Sequence, residues 1–171
     1  MLRSNAPVCA LTAKEKLLLL RNAGSRFEDA STRAGAGFAV EGSFRGLAAG
    51  DIDGDGDPDL VLTRVDQTPL LLRYEGGDAS RRIVVEPAGR PWPRWIGARI
   101  ELTAGGKTQT QVILSGGSYA SQSALRATFS LGEAAAAERV LVRFPYGGEQ
   151  EFRGVHGGSV VRVDVPRPAG R

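Results

Sequence analysis

The 171 residues suffice for one domain of ordinary size or two small ones, and 42% hydrophobic with 24% charged side chains exclude disorder as the first reading. A single cysteine and a single histidine exclude an intrachain disulfide and a zinc site built from those residues. The net charge of +3 hides an asymmetry: residues 1–78 carry 9 basic and 12 acidic side chains, residues 79–171 carry 13 and 7, which sets a boundary near Asp78.

Residues 1–16 show no period and read as an irregular lead-in. "LLLL" at 17–20 is four residues long, short of the roughly 7–15 apolar residues of a signal peptide core and far from membrane-spanning length. The chain therefore reads as soluble, with no membrane insertion and no export signal of its own. "LLLLRNAG" (17–24) nearly repeats as "LLLRYEGG" (70–77), a spacing that suits one blade of a β-propeller. "LVLTRV" (60–65) reads as a strand, "DQTP" (66–69) as a turn, and Leu70–Tyr74 as the returning strand.

Residues 79–94 read as a strand, "RRIVVEP", running into a connector stiffened by Pro91 and Pro93. Beyond it the pattern is β. Ile100 and Leu102 alternate with Glu101 and Thr103, and Gly105-Gly106 marks a hairpin turn. Val140, Val142 and Phe144 point inward before a second turn at Gly147-Gly148, and Val161, Val163 and Val165 share one face of a last strand ahead of a tail at 166–171. "EAAAAE" (133–138) is too short for more than one helical turn.

The chemistry concentrates in "DIDGDGDPDL" (51–60), where Asp51, Asp53, Asp55, Asp57 and Asp59 alternate strictly. Adjacent carboxylates repel by about 1 kcal/mol each even at the dielectric of water, so five in one compact turn call for a cation. Ca²⁺ takes six to eight oxygen ligands, and a chain wrapped around it presents alternate residues inward. Asp51, Asp53 and Asp55 fill the first three positions, Gly56 sits where the loop turns sharply, a carbonyl from Asp57 follows, and Asp59 closes the sphere. Leu62 stands where an EF-hand has glutamate, and strands flank the loop in place of helices. Mg²⁺ fits less well, because it demands octahedral geometry and retains water.

These residues carry a resemblance. "LLLLRNAGSRFEDAS…GLAAGDIDGDGDPDLVLT" resembles an FG-GAP/VCBS repeat, the calcium-loop blade of integrin-like β-propellers, over residues 17–78. The resemblance implies side-chain ligation by Asp51, Asp53, Asp55 and Asp59, with the carbonyl of Asp57. Within a β-domain set at 95–165, residues 95 to about 152, through Ile96-Gly97-Ala98-Arg99, Gly116 to Gln122 and Phe144-Pro145, resemble the ASPIC/UnbV domain of cartilage acidic protein-like proteins. Thr128 stands where that family has histidine, and "FPYGG" (144–148) where it has "WPSG". Since propellers close with about 4–8 blades, one blade reads as the C-terminal end of a longer protein, its bare edges prone to self-association.

Other constellations are weaker. "GGKT" (105–108) lacks the glycine a phosphate loop needs at Glu101, and "GAG" (35–37) finds Val40 where a dinucleotide fingerprint needs glycine. His156 has no nucleophile elbow near it, so a hydrolase is disfavoured. "LSGGSYASQS" (114–123) offers hydroxyls for a ligand, but an irregular loop with Tyr119 packed beneath the sheet is the favoured reading. Trp92 and Trp95 suit packing between the halves better than a sugar platform.

The expectation is an all-β chain: a partial propeller blade with a calcium loop, followed by a sandwich-like antiparallel β-domain. Its expected role is non-enzymatic, as a calcium-binding interaction or adhesion module of a larger secreted or cell-surface protein with a protein or glycan partner. The resemblance supplies the location. The arginine, alanine and glycine richness points to a bacterial source. The alternatives are an accessory component of a bacterial biosynthetic pathway, or salt-sensitive binding of acidic polysaccharide or nucleic acid by the basic half. Nucleic acid is disfavoured, because the arginines are scattered singly with little aromatic interleaving.

Overall fold

The computed structural model describes residues 14–89 and 92–166. The fold is all-β. Among the described residues twelve strands form four sheets, and only short helical turns interrupt them.

Seven strands make a sandwich in the second half. One sheet is antiparallel, in the order β11 (Glu149–His156), β10 (Ala136–Arg143), β7 (Arg99–Ala104), β8 (Lys107–Val112). The other has the order β12 (Val160–Val163), β6 (Arg82–Pro87), β9 (Ala127–Ser130). Period-two alternation sends Ile100, Leu102, Val140 and Val142 from the first sheet, and Ile83, Val85, Phe129 and Val163 from the second, into one core. Trp95, on the short helix Trp92–Trp95, is fully buried in that core beside Phe144, at a ring separation of 6.3 Å.

Both glycine turns form where the alternation implies them. Ala104 pairs with Lys107 across Gly105 (φ 55°) and Gly106 (φ 72°), a primed turn open to glycine at both central positions. The seams of the sandwich are joined by side-chain amides. Gln109 and Gln111 donate to the Ser130 and Thr128 carbonyls at 2.6 and 2.7 Å, and Gln150 donates to the Asp164 carbonyl at 2.6 Å. Strand edges that would otherwise be bare are thereby covered.

Two expectations change here. Arg82–Pro87 is a strand, but it is no part of a connector: it is the central strand of the second sheet, between β9 and β12. The domain is also not wholly antiparallel, because β12 runs parallel to β6. Its Val161 and Val163 fill the core from that position. "EAAAAE" gives no helix; Ala136 already starts β10.

The first half contains a hairpin of β1 (Leu20–Asn22) and β2 (Phe27–Asp29), and a sheet ordered β3 (Phe44–Gly50), β4 (Asp59–Arg64), β5 (Gln67–Leu72). The turn into β5 comes earlier than "DQTP". Val65 and Asp66 close it, Asp66 taking the left-handed conformation (φ 54°) that aspartate tolerates. Pro69 lies inside edge strand β5, next to a register shift, where a missing N–H is harmless. Among the described residues before Asp78, Ala30 and Leu62 are the buried hydrophobics, while Leu18, Leu20, Phe27 and Leu71 are exposed. This half has almost no core of its own and leans on the sandwich.

On the outer face of the four-stranded sheet, Glu101 accepts from Arg99 and Arg143, each at 3.0 Å, above the buried Leu141. The Arg99 hydrogen bond, then the charge of Arg143, holds the Glu101 carboxyl below its ordinary 4.5. A depressed carboxyl stabilises the fold above the unfolded pKa and ceases to do so as pH falls through the folded value. Glu101→Gln is expected to cost about 1 kcal/mol at neutral pH. Urea titrations at stepped pH should show the gap between wild type and variant closing below pH 4.5; a gap independent of pH would contradict the assignment.

Candidate metal centre

The loop from Asp51 to Pro58 joins β3 to β4, and the antiparallel pairing of Gly50 with Asp59 fixes both its ends. Its interior is organised by carboxylates that accept backbone N–H groups. Asp51 accepts from Gly54 (2.7 Å) and Gly56 (3.1 Å), Asp53 from Asp55 (3.3 Å), and Asp55 from Asp57 (2.8 Å). Gly56 has φ 90°, in the left-handed region where the spacing places the sharp turn.

The five aspartates separate into three groups. Asp51, Asp53 and Asp59 bring carboxylate oxygens within 4.8 Å of one another. Asp59 is buried and accepts from the N–H groups of Ile52 (2.9 Å) and Tyr74 (3.0 Å), which hold its carboxyl below the ordinary value against the opposing effect of burial. Asp55 lies outside this trio and is exposed. Desolvation first, then repulsion from Asp53, Asp51 and Asp59, pushes its carboxyl up. Asp57 is buried and its side chain pairs with Arg82 of β6, apart from the trio.

Three arginines absent from the sequence-level site complete the picture. Arg73 pairs with Asp53, Arg126 lies 3.4 Å from Asp51, and Arg82 holds Asp57. Arg73 follows β5 and occupies the matching place to Arg21 in the near-repeat, the only sequence signal that marks it. Arg82 and Arg126 come from the second half, so two of the loop's charge pairs join the halves. An all-oxygen trio with cationic side chains already drawn to it has the donor chemistry of a hard divalent cation site.

The polar stretch at 114–123 is hydrogen-bonded along β3 and does not bury its tyrosine. Ser118 and Ser123 hydroxyls accept from the N–H groups of Leu47 (3.2 Å) and Ala49 (3.1 Å), and Ser121 donates to the Leu47 carbonyl (2.8 Å). Ala124 N–H continues the line to the Ala49 carbonyl at 2.8 Å. The segment covers the outer edge of β3, and Tyr119, 73% exposed, does not pack beneath a sheet. Trp95 donates from Nε1 to the Leu125 carbonyl at 2.8 Å and belongs to the sandwich core, while the Trp92 side chain lies outside the described residues. His156 ends β11 and is exposed.

Residues 89–169 match the family model described as ASPIC and UnbV, so the second half of the chain carries a domain of that type. The match begins after β6, although β6 is central to the sheet that the matched strands β9 and β12 complete. Among curated proteins, none matches the chain. No helix among the described residues is long and apolar enough to cross a membrane.

Proposed function

We propose that the chain is a non-enzymatic, calcium-stapled interaction module, its first half an FG-GAP/VCBS-type blade that works within a larger secreted or cell-surface β-propeller. The observation that carries this reading is the convergence of Asp51, Asp53 and Asp59 to within 4.8 Å in a loop shaped by their own backbone hydrogen bonds. The side chains of these three, with the carbonyl of Asp57 and the neighbouring charge of Asp55, would hold the ion. Its contribution is structural: it neutralises crowded carboxylates and fixes the β3–β4 connection in a half that has little core to do so. Affinity in the range of about 10⁻⁴–10⁻³ M suits such extracellular modules.

The test is a thermal melt in millimolar calcium and in chelator. The wild-type midpoint is expected to rise with calcium, by the linkage of ligand binding to folding, and that of Asp53→Ala to stay put. Asp53 is suited to this because its carboxylate is partly exposed and its loss leaves the Asp59 hydrogen bonds in place. Equal midpoints for the wild type in both conditions would remove calcium from the account.

A further inference from the structure

We propose that Arg73 is a tethered competitor for the cation at the aspartate trio, so that calcium binds by exchange and takes the place of the guanidinium on Asp53. The inference rests on the calcium reading above, and adds to it what holds the ion-free loop and what sets its affinity. A cation already sits on the trio, and the chain itself supplies it. Arg73 pairs with Oδ2 of Asp53, while Oδ1 accepts the Asp55 N–H at 3.3 Å, so both oxygens of this carboxylate are engaged. The backbone that carries Arg73 is fixed on the same trio, because the next residue, Tyr74, donates its N–H to Asp59 at 3.0 Å. A divalent ion held by Asp53 therefore needs an oxygen that the guanidinium occupies, and the two positive groups repel at such range.

Arg73 is also able to leave. Its side chain is 50% exposed, and a second, more exposed carboxylate, that of Glu75, lies 3.4 Å from the same Nη2. Two acceptors thus flank one long side chain, and a half-exposed ion pair is weak enough for a divalent ion to displace. Arg82 and Arg126 differ, since they reach Asp57 and Asp51 from the second half and are largely buried, with little solvent to retreat into. The two roles of Arg73 have opposite signs. Without the ion its charge relieves the crowded carboxylates, and with the ion it opposes binding. A salt bridge that only supports the fold has the first effect and lacks the second.

The test is calorimetric titration of the full chain with calcium, together with thermal melts in chelator and in saturating calcium. Arg73→Gln is expected to bind calcium about five- to tenfold more tightly than the wild type and to melt lower in chelator, so its calcium-induced shift is the larger. Arg73→Lys keeps the charge and is expected to stay within about twofold of the wild type. Arg45→Gln removes the same charge from an exposed position near the far end of β3 and is expected to leave calcium affinity unchanged. Wild-type binding that Arg73→Gln leaves equal or weaker would overturn the competitor while the calcium site stands. Equal tightening by Arg45→Gln would overturn it too, since net charge alone then accounts for the gain. Binding by Arg73→Gln but not by the wild type supports the proposal in its extreme form, the guanidinium keeping the ion out. Absence of binding in both overturns the competitor and the calcium site together.

Discussion

Trp95→Ala is expected to lower stability by about 3–5 kcal/mol, the cost of removing a large aromatic from a packed core. The side chain is fully buried and tilted against Phe144, and its indole N–H is the donor that holds the Leu125 carbonyl. Its loss is therefore felt beyond the sandwich. Leu125 sits between Ala124, bonded to Ala49 of β3, and Arg126, which reaches Asp51. Trp95→Phe separates the two effects, keeping most of the ring but orphaning the carbonyl, at an expected cost of about 1–3 kcal/mol. Chemical unfolding of both variants gives these numbers. Hydrogen exchange should show the Phe variant losing protection at Ala124 and Ala49 before the strands of the sandwich. A Trp95→Ala loss below about 1 kcal/mol would mean the core repacks around the gap, against the usual behaviour of rigid interiors.

What was legible in the sequence was local. Gly105-Gly106 specifies its hairpin because a primed turn requires φ > 0, Gly147-Gly148 supplies the positive φ that the longer β10–β11 turn uses, and the alternation of Ile100 with Glu101 or Val142 with Arg143 assigns inside and outside without knowledge of partners. The aspartate loop was legible as a concentration of charge for the same reason. Its side-chain partners were not: position sets Asp57 apart from its neighbours, but the Arg82 that claims its carboxylate is distant in sequence. Likewise the β-branched run Ile83, Val84, Val85 makes Arg82–Pro87 a strand, yet its centrality depends on β9 and β12, both supplied far downstream. The run at 114–123 was legible as an irregular loop, but not as the cover of the β3 edge with Tyr119 exposed, because its partners Leu47 and Ala49 are distant in sequence. The leucines at 18–20 are the most hydrophobic run near the start, yet they are exposed and only Leu20 enters β1, since burial depends on what packs against a run as well as on its hydrophobicity.

Breaking the Asp57–Arg82 pair is expected to cost about as much as Trp95→Ala, for a different reason. Both side chains are largely withdrawn from water, Asp57 at 4% and Arg82 at 14% exposure. Removing one partner leaves the other charge buried without its counterion, a loss of about 3–5 kcal/mol for pairs of this kind, whereas removing both can be close to neutral. Arg82→Met is expected to be worse than Asp57→Ala, because the more deeply buried carboxylate is the one left behind. The double variant should be more stable than the sum of the single losses predicts, and the difference in a double-mutant cycle measures the coupling. Since Asp57 belongs to the loop and Arg82 to the sandwich, the single variants should also loosen the first half, which owns only Ala30 and Leu62 as buried hydrophobics among its described residues. Limited proteolysis is expected to cut residues 14–78 of Arg82→Met well before the sandwich. Strictly additive single losses, with both halves equally resistant to protease, would mean that the pair does not hold the halves together.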